Sequence, residues 1–170
     1  MKSVIMLSGP VGAGKTTVAR ELVSRMQGEV AYIEGDEFWS FLTKTGNLGR
    51  RDNFPIILRS MTAASLPMAR SGYDVVLDFS IPPDFLPIAL KILKDTPLDF
   101  VVLLPSLSTC EQRAANRSEG VIADYDRYRG FYAMFIKAPE RYIVSDDNAD
   151  AVTLASRILE GMGTHRFRVM

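Results

Sequence analysis

The chain has 170 residues, 20 basic against 20 acidic, and a single cysteine, Cys110; this suits one domain with one core and excludes intrachain disulfides and multi-cysteine zinc cages. The balanced charge argues against a protein that draws its affinity for nucleic acid from clustered Lys and Arg, and no segment approaches the roughly 20 apolar residues of a membrane span. One unprocessed cytoplasmic domain over residues 1–170, with neither nucleic-acid nor membrane partners, is expected.

Apolar runs bounded by turn residues alternate with segments of helical period, the pattern of a parallel sheet covered by helices. The first run, Val4–Leu7, is shorter than the about 7–15 apolar residues of a signal-peptide core and reads as a strand. It leads into Gly9-Pro10-Val11-Gly12-Ala13-Gly14-Lys15-Thr16, which fits G-x-x-x-x-G-K-[ST], and then into a helix over Lys15–Gln27. Between a strand and a helix, such a loop wraps an anion with backbone N–H groups. Gly9, Gly12 and Gly14 admit backbone angles that a Cβ blocks, and Ala13 lies in the same cradle. Lys15 is expected on the β- and γ-phosphates of ATP and the Thr16 hydroxyl on Mg²⁺. Thr17 is either a further phosphate contact or merely part of the first helical turn.

A second strand, Ala31–Ile33, ends in Glu34-Gly35-Asp36, where Gly35 permits a sharp turn and the approach of a substrate. Asp36 suits a carboxylate that orients or deprotonates a hydroxyl attacking the γ-phosphate, or an N-cap for a helix over Glu37–Thr43; the roles are compatible. Trp39, Phe38 and Phe41 either line an acceptor pocket or pack in the core. Thr45–Asn53, with Gly46, Gly49, Arg50 and Arg51, reads as a mobile loop, followed by a helix over Ile56–Ser71 that carries Arg59, a candidate substrate contact.

The third strand, Asp74–Leu77, points Asp78 at the edge that carries the glycine-rich loop. This resembles a Walker B strand, whose carboxylate holds Mg²⁺ or positions substrate, although Asp at a strand end also simply forms turns. Asp78 is the next candidate for the base if Asp36 is not. A helix over Phe85–Lys94 with Asp84 as its cap, a strand Phe100–Leu104, and a helix over Ser108–Arg117 capped by Ser106 or Ser108 follow. Arg113 and Arg117, four apart on that helix, share a face where an anion relieves their repulsion, and they suit charge developing on a transferring phosphoryl group. After a loop at Ser118–Ala123 come a helix over Asp126–Lys137, a strand Tyr142–Val144 and a helix over Ala149–Gly161 capped by Asp147 or Asn148. Tyr125, Tyr128, Tyr132 and Phe135 form a packing stripe. Cys110 carries no mark of a nucleophile, and His165 has no neighbours that would make a metal site.

In an open parallel sheet, ligands bind beyond the carboxyl ends of the strands, which brings Gly9–Lys15, Asp36, Asp78, Pro105–Ser108 and Ser145–Asp147 to one edge. On Gly9–Thr17, Tyr32–Asp36, Asp74–Asp78 and Arg113–Arg117, the chain resembles the P-loop small-molecule kinases of the nucleoside-monophosphate-kinase-like superfamily, with gluconate-kinase-like, shikimate-kinase-like and chloramphenicol-phosphotransferase-like members. The resemblance implies a three-layer α/β P-loop NTPase fold: a five-stranded parallel sheet of order 2-3-1-4-5, helices on both faces, and a short lid over about residues 117–125. It places Asp36 where the family's substrate-contacting aspartate stands, and adenine near Arg113 and Ser145–Asn148. The expected activity is transfer of the γ-phosphate of ATP, with Mg²⁺, to a hydroxyl of a small metabolite of sugar-acid or hydroxy-acid type or of an antibiotic, by a monomer or homodimer. Lys15, Asp36 and Arg117 are its catalytic groups. A nucleotide-dependent switch and a nucleic-acid end kinase are the alternatives.

Overall fold

A computed structural model describes residues 2–118 and 120–169. Five parallel strands, β1 Val4–Ser8, β2 Val30–Glu34, β3 Asp74–Asp78, β4 Leu98–Leu103 and β5 Ile143–Val144, lie in the order β2-β3-β1-β4-β5, the order the resemblance implies. Between and after them run the helices α1 Lys15–Arg25, α2 Arg50–Arg70, α3 Leu86–Leu93, α4 Leu107–Ala115, α5 Asp126–Phe135 and α6 Ala151–Gly163.

Period-2 alternation along the strands builds the layers, since successive side chains point to opposite faces. Val4 and Met6 of β1, with Val75 and Leu77 of β3, pack against Ile57, Leu58 and Met61 of α2 and Leu93 of α3. Ile5 and Leu7, with Val76, pack on the other face against Val18 and Leu22 of α1 and Leu154 and Ile158 of α6. Both faces of the sheet are therefore covered, as a parallel sheet requires. A third cluster of Cys110, Ala114 and Tyr125 seals α4 to the start of α5 beside the glycine-rich loop.

Several expected boundaries move. The segment after β2 is a 3₁₀ helix over Gly35–Phe41 rather than an α-helix over Glu37–Thr43. Helix α2 starts at Arg50, inside the expected loop, with the Asp52 carboxylate accepting the Gly49 N–H at 3.0 Å. Pro55 and Pro67 both lie within α2. Ser106 caps α4 by accepting from the Thr109 amide, while Asp150, not Asp147 or Asn148, caps α6 through the Thr153 amide at 2.8 Å. Asp84 sits in a short 3₁₀ turn ahead of α3 and caps nothing.

Strand β5 covers only the last two residues of β4, Val102 and Leu103. The rest of that edge is taken by the C-terminal segment, where Phe100 N–H donates to Phe167 O at 3.0 Å and Val169 N–H to Leu98 O at 2.8 Å. The Arg168 guanidinium donates to both oxygens of Asp99, a carboxylate only 1 % exposed. Removing one partner of a buried pair leaves an uncompensated charge. Arg168→Leu is expected to lower unfolding stability by about 2–4 kcal/mol, toward the low side because Arg168 keeps contact with water. In urea melts, Asp99→Leu combined with Arg168→Leu should recover most of that loss, and a double variant as unstable as the single one would contradict the account.

Candidate active site

The loop after β1 turns back on itself before α1. Gly12 has φ +81°, and a Cβ there would lie 2.2 Å from the carbonyl oxygen of Cys110, so α4 packs directly against the loop's backbone. The amides of Gly12 and Gly14 meet no acceptor among the described residues, and the first N–H groups of α1 have no intrahelical partner, which leaves a concave set of donors with the helix dipole behind it. The Lys15 ammonium folds back to donate to Pro10 O at 3.1 Å. Burial pushes its pKa down from the ordinary lysine value; the charges of Asp78 and Asp36 oppose that shift and Arg117 adds to it. One ammonium thus feels three of the side chains singled out in sequence.

Thr16, in the first turn of α1, donates its hydroxyl to Asp78 Oδ2 at 2.7 Å, and the Tyr32 hydroxyl donates to the same oxygen at 3.1 Å. Asp78 is 3 % exposed and sits at the end of β3, level with Leu7 and Glu34 on the strands beside it. Burial first, then the charge of Asp78, raise the Tyr32 phenol pKa, so Tyr32 stays a donor. A hydroxyl and a carboxylate are hard oxygen donors of the type Mg²⁺ takes, with water and phosphate completing its shell. No group of three or more His, Cys, Asp or Glu among the described residues forms a metal cage. Tyr32 had no role in the sequence reading; its signal was the alternation in β2, which puts it on one face with Glu34.

Asp36 is exposed, in the first turn of the 3₁₀ helix, and does not cap it: the cap residue is Glu34, without a side-chain bond. What approaches the Gly35 backbone is the ring of Phe79, which a Cβ there would meet at 2.6 Å. The 3₁₀ helix that carries Asp36 packs through Trp39 on an aromatic cluster of the core. Trp39 is half-buried 6.5 Å from Phe79, Phe54 stacks on Phe79 at 5.3 Å, and Phe85 meets Phe54 edge-on at 4.8 Å. The Arg50 guanidinium lies over the Trp39 ring at 4.7 Å. Arg59 stands exposed on α2, and among the described residues it makes no ion pair; Arg50 is the arginine that reaches Trp39. Phe79 is core, 5 % exposed, and Phe54 packs against it from α2.

Arg113 and Arg117 do not share a helix face, because α4 ends at Ala115 and Arg117 leaves it. The Arg113 guanidinium spans the site, donating to Ala13 O at 3.4 Å and to Asp147 O at 3.2 Å. It thereby joins the glycine-rich loop to the segment after β5. Asp147 in turn accepts the Ser106 N–H at 2.7 Å. Thr17 is exposed one residue beyond Thr16. Within the expected lid, Glu119 lies outside the described residues; Ile122 N–H closes onto Ala114 O at 3.0 Å, and Tyr125 is buried. The tyrosine stripe packs, with Tyr125 and Tyr128 ring centroids 5.6 Å apart. Cys110 is buried, and that burial pushes its thiol up to about 11, far from a reactive thiolate.

Residues 4–127 match a family described as an AAA domain. No curated protein matches the sequence significantly. Among solved structures, the tunicamycin resistance protein of Deinococcus radiodurans superposes with a TM-score of 0.75 at 19% identity, over 96% of each chain. A gluconokinase from Sinorhizobium meliloti 1021 does so at 0.69 and 19%, over 96% of this chain and 93% of that one. The APS kinase of Mycobacterium tuberculosis, in complex with AMPPNP and APS, gives 0.70 and 18%, over 95% and 98%. Such identities speak for the fold alone. With the sheet order, the glycine-rich loop and the match over most of its length, the chain belongs to the AAA domain family and carries a P-loop kinase fold.

Proposed function

We propose that this protein transfers the γ-phosphoryl group of ATP to a hydroxyl of a small molecule. The observation that carries the reading is the division of labour between two carboxylates around Lys15. Asp78 is buried at the end of β3 and engaged by Thr16 and Tyr32, whereas Asp36, just beyond the neighbouring strand β2, is exposed. Asp36 is thus the carboxylate free to meet an acceptor, and Asp78 the one that organises the phosphate side.

In this reading the loop amides and Lys15 hold the β- and γ-phosphates, and Arg113 borders the adenine beside the segment 145–148. Thr16 and Asp78 hold Mg²⁺, which neutralises charge on the phosphate oxygens when bound. Asp36 accepts the acceptor's hydroxyl proton as its oxygen bonds to the γ-phosphorus and the bond to ADP breaks. Lys15, with Arg117 from the end of α4, faces the charge on the transferring group. There is little covalent chemistry for the protein to perform, so orientation and electrostatics supply the rate. The ring of Trp39 under Arg50 favours an acceptor with an apolar face and a polar or anionic edge, within the sugar-acid, hydroxy-acid and antibiotic classes.

A nucleotide-dependent switch keeps one specific observation in its favour. Phe41 and Leu48, 72 % and 53 % exposed, leave apolar surface on the segment between β2 and α2, where a protein partner could seat. Acceptor-dependent turnover separates the two readings. With MgATP and a panel of sugar acids, hydroxy acids, nucleosides and antibiotics, at least one acceptor should stimulate ADP release. Asp36→Asn should lower that turnover by about 10²–10⁴-fold and leave ADP affinity unchanged. Turnover unchanged in Asp36→Asn would remove the base from the mechanism.

The lowered Lys15 pKa adds a pH dependence of known sign. The ammonium is the form that holds phosphate, and it is lost as pH rises through a pKa below the ordinary lysine value. In calorimetric titrations ADP affinity should therefore fall on the alkaline side earlier than a solvent-exposed lysine would dictate. Lys15→Arg, whose guanidinium stays protonated, should bind more weakly but with a flat profile. A wild-type profile as flat as that of Lys15→Arg would contradict this role.

A further inference from the structure

The glycine-rich loop is held by side chains from two other parts of the chain. Tyr125, the last residue before α5, donates its hydroxyl to Val11 O at 2.6 Å, and Arg113 donates to Ala13 O. No peptide bond among the described residues is cis, and in a trans peptide the carbonyl and the following N–H point in opposite directions. A side chain that pins Val11 O therefore also fixes the Gly12 N–H, aimed away from Tyr125. Gly12 N–H is one of the donors without a partner, and Gly12 backbone is wedged against Cys110 O on its other side. Tyr125 itself is 5 % exposed and packs on Cys110 and Ala114, so its hydroxyl has little freedom to leave Val11 O.

We propose that Tyr125 is a positioning residue of the phosphate site: its hydroxyl, through Val11 O, presets the Gly12 amide to donate to a phosphate oxygen. The inference rests on the phosphate-cradle part of the proposed function and on nothing about the acceptor. It has a physical rationale in preorganisation, since a donor already aimed at its anion costs no reorientation when the anion arrives. The same bond fastens the far end of the 117–125 segment to the loop it is expected to cover, so the loop and that segment share one anchor.

A matched control lies seven residues on, within α5. The Tyr132 hydroxyl donates to Pro105 O at 2.9 Å, another hydroxyl-to-carbonyl bond, but on a peptide outside the glycine-rich loop. Tyr125→Phe and Tyr132→Phe each remove one oxygen and keep the ring, so the packing of both helices is preserved. Binding of inorganic tripolyphosphate, which carries no adenine and needs no acceptor, is measured by calorimetry for both variants alongside their melting temperatures. Tyr125→Phe should bind tripolyphosphate and ADP about tenfold more weakly, while Tyr132→Phe binds both as the wild type does, whatever its melting temperature. Wild-type affinity in Tyr125→Phe, or equal losses in the two variants, would overturn the positioning role while leaving the cradle intact. A wild-type protein that binds neither tripolyphosphate nor ADP would overturn the cradle and this inference together.

Discussion

One buried oxygen, Asp78 Oδ2, joins three parts of the molecule. It ends β3, accepts the hydroxyl of Thr16 from the first turn of α1, and accepts the hydroxyl of Tyr32 from β2. A carboxylate 3 % exposed is tolerated only where donors and a positive charge compensate its desolvation, and here two hydroxyls and the Lys15 ammonium do so. The register of β3 between β1 and β2 makes the meeting possible, because Asp78 lies opposite Leu7 on one side and Glu34 on the other. A one-residue slip of β3 would turn the carboxylate to the opposite face and separate all three.

From that point the site divides by solvent exposure. Around the glycine-rich loop the side chains are tied down, Lys15 on Pro10 O, Arg113 on Ala13 O and Asp147 O, and Tyr125 on Val11 O, while the Gly12 and Gly14 amides keep their donors free among the described residues. Asp36, the carboxylate proposed to meet the acceptor, is exposed, and the 3₁₀ helix that carries it packs through Trp39 toward the buried Phe79. In the proposed function, the tied-down loop serves the constant phosphate donor and the exposed carboxylate the variable acceptor.

The strands and the glycine-rich loop were legible because their signals are local. Buried parallel strands read as short apolar runs, and the loop's spacing is set by backbone geometry. What escaped depended on distant partners. The start of α2 at Arg50 was hidden by Gly46, Gly49 and Pro55, which locally argue for a loop. Among Asp146, Asp147, Asn148 and Asp150, residue type alone could not name the cap of α6; Asp146 is committed to Arg157 and Asp147 to Ser106, which leaves Asp150. Strand β4 begins two residues earlier than its apolar run because Asp99 is neutralised by Arg168, 69 positions away. Arg117 read as helical from spacing, yet the helix closes at Ala115 and leaves it at the start of the 117–125 segment. Asp36, Asp78 and Lys15 were named from strand ends, and Tyr32 and Tyr125 were not, since a tyrosine in a strand or stripe carries no mark of what its hydroxyl touches.

The central claim is that the exposed carboxylate and the buried one serve a single transfer. Phosphorus NMR of the protein with MgATP and a stimulating acceptor tests it most directly. The account predicts a new phosphate-ester resonance that grows in step with ADP and disappears in Asp36→Asn. ADP accompanied only by inorganic phosphate, at a rate indifferent to every acceptor, would contradict it.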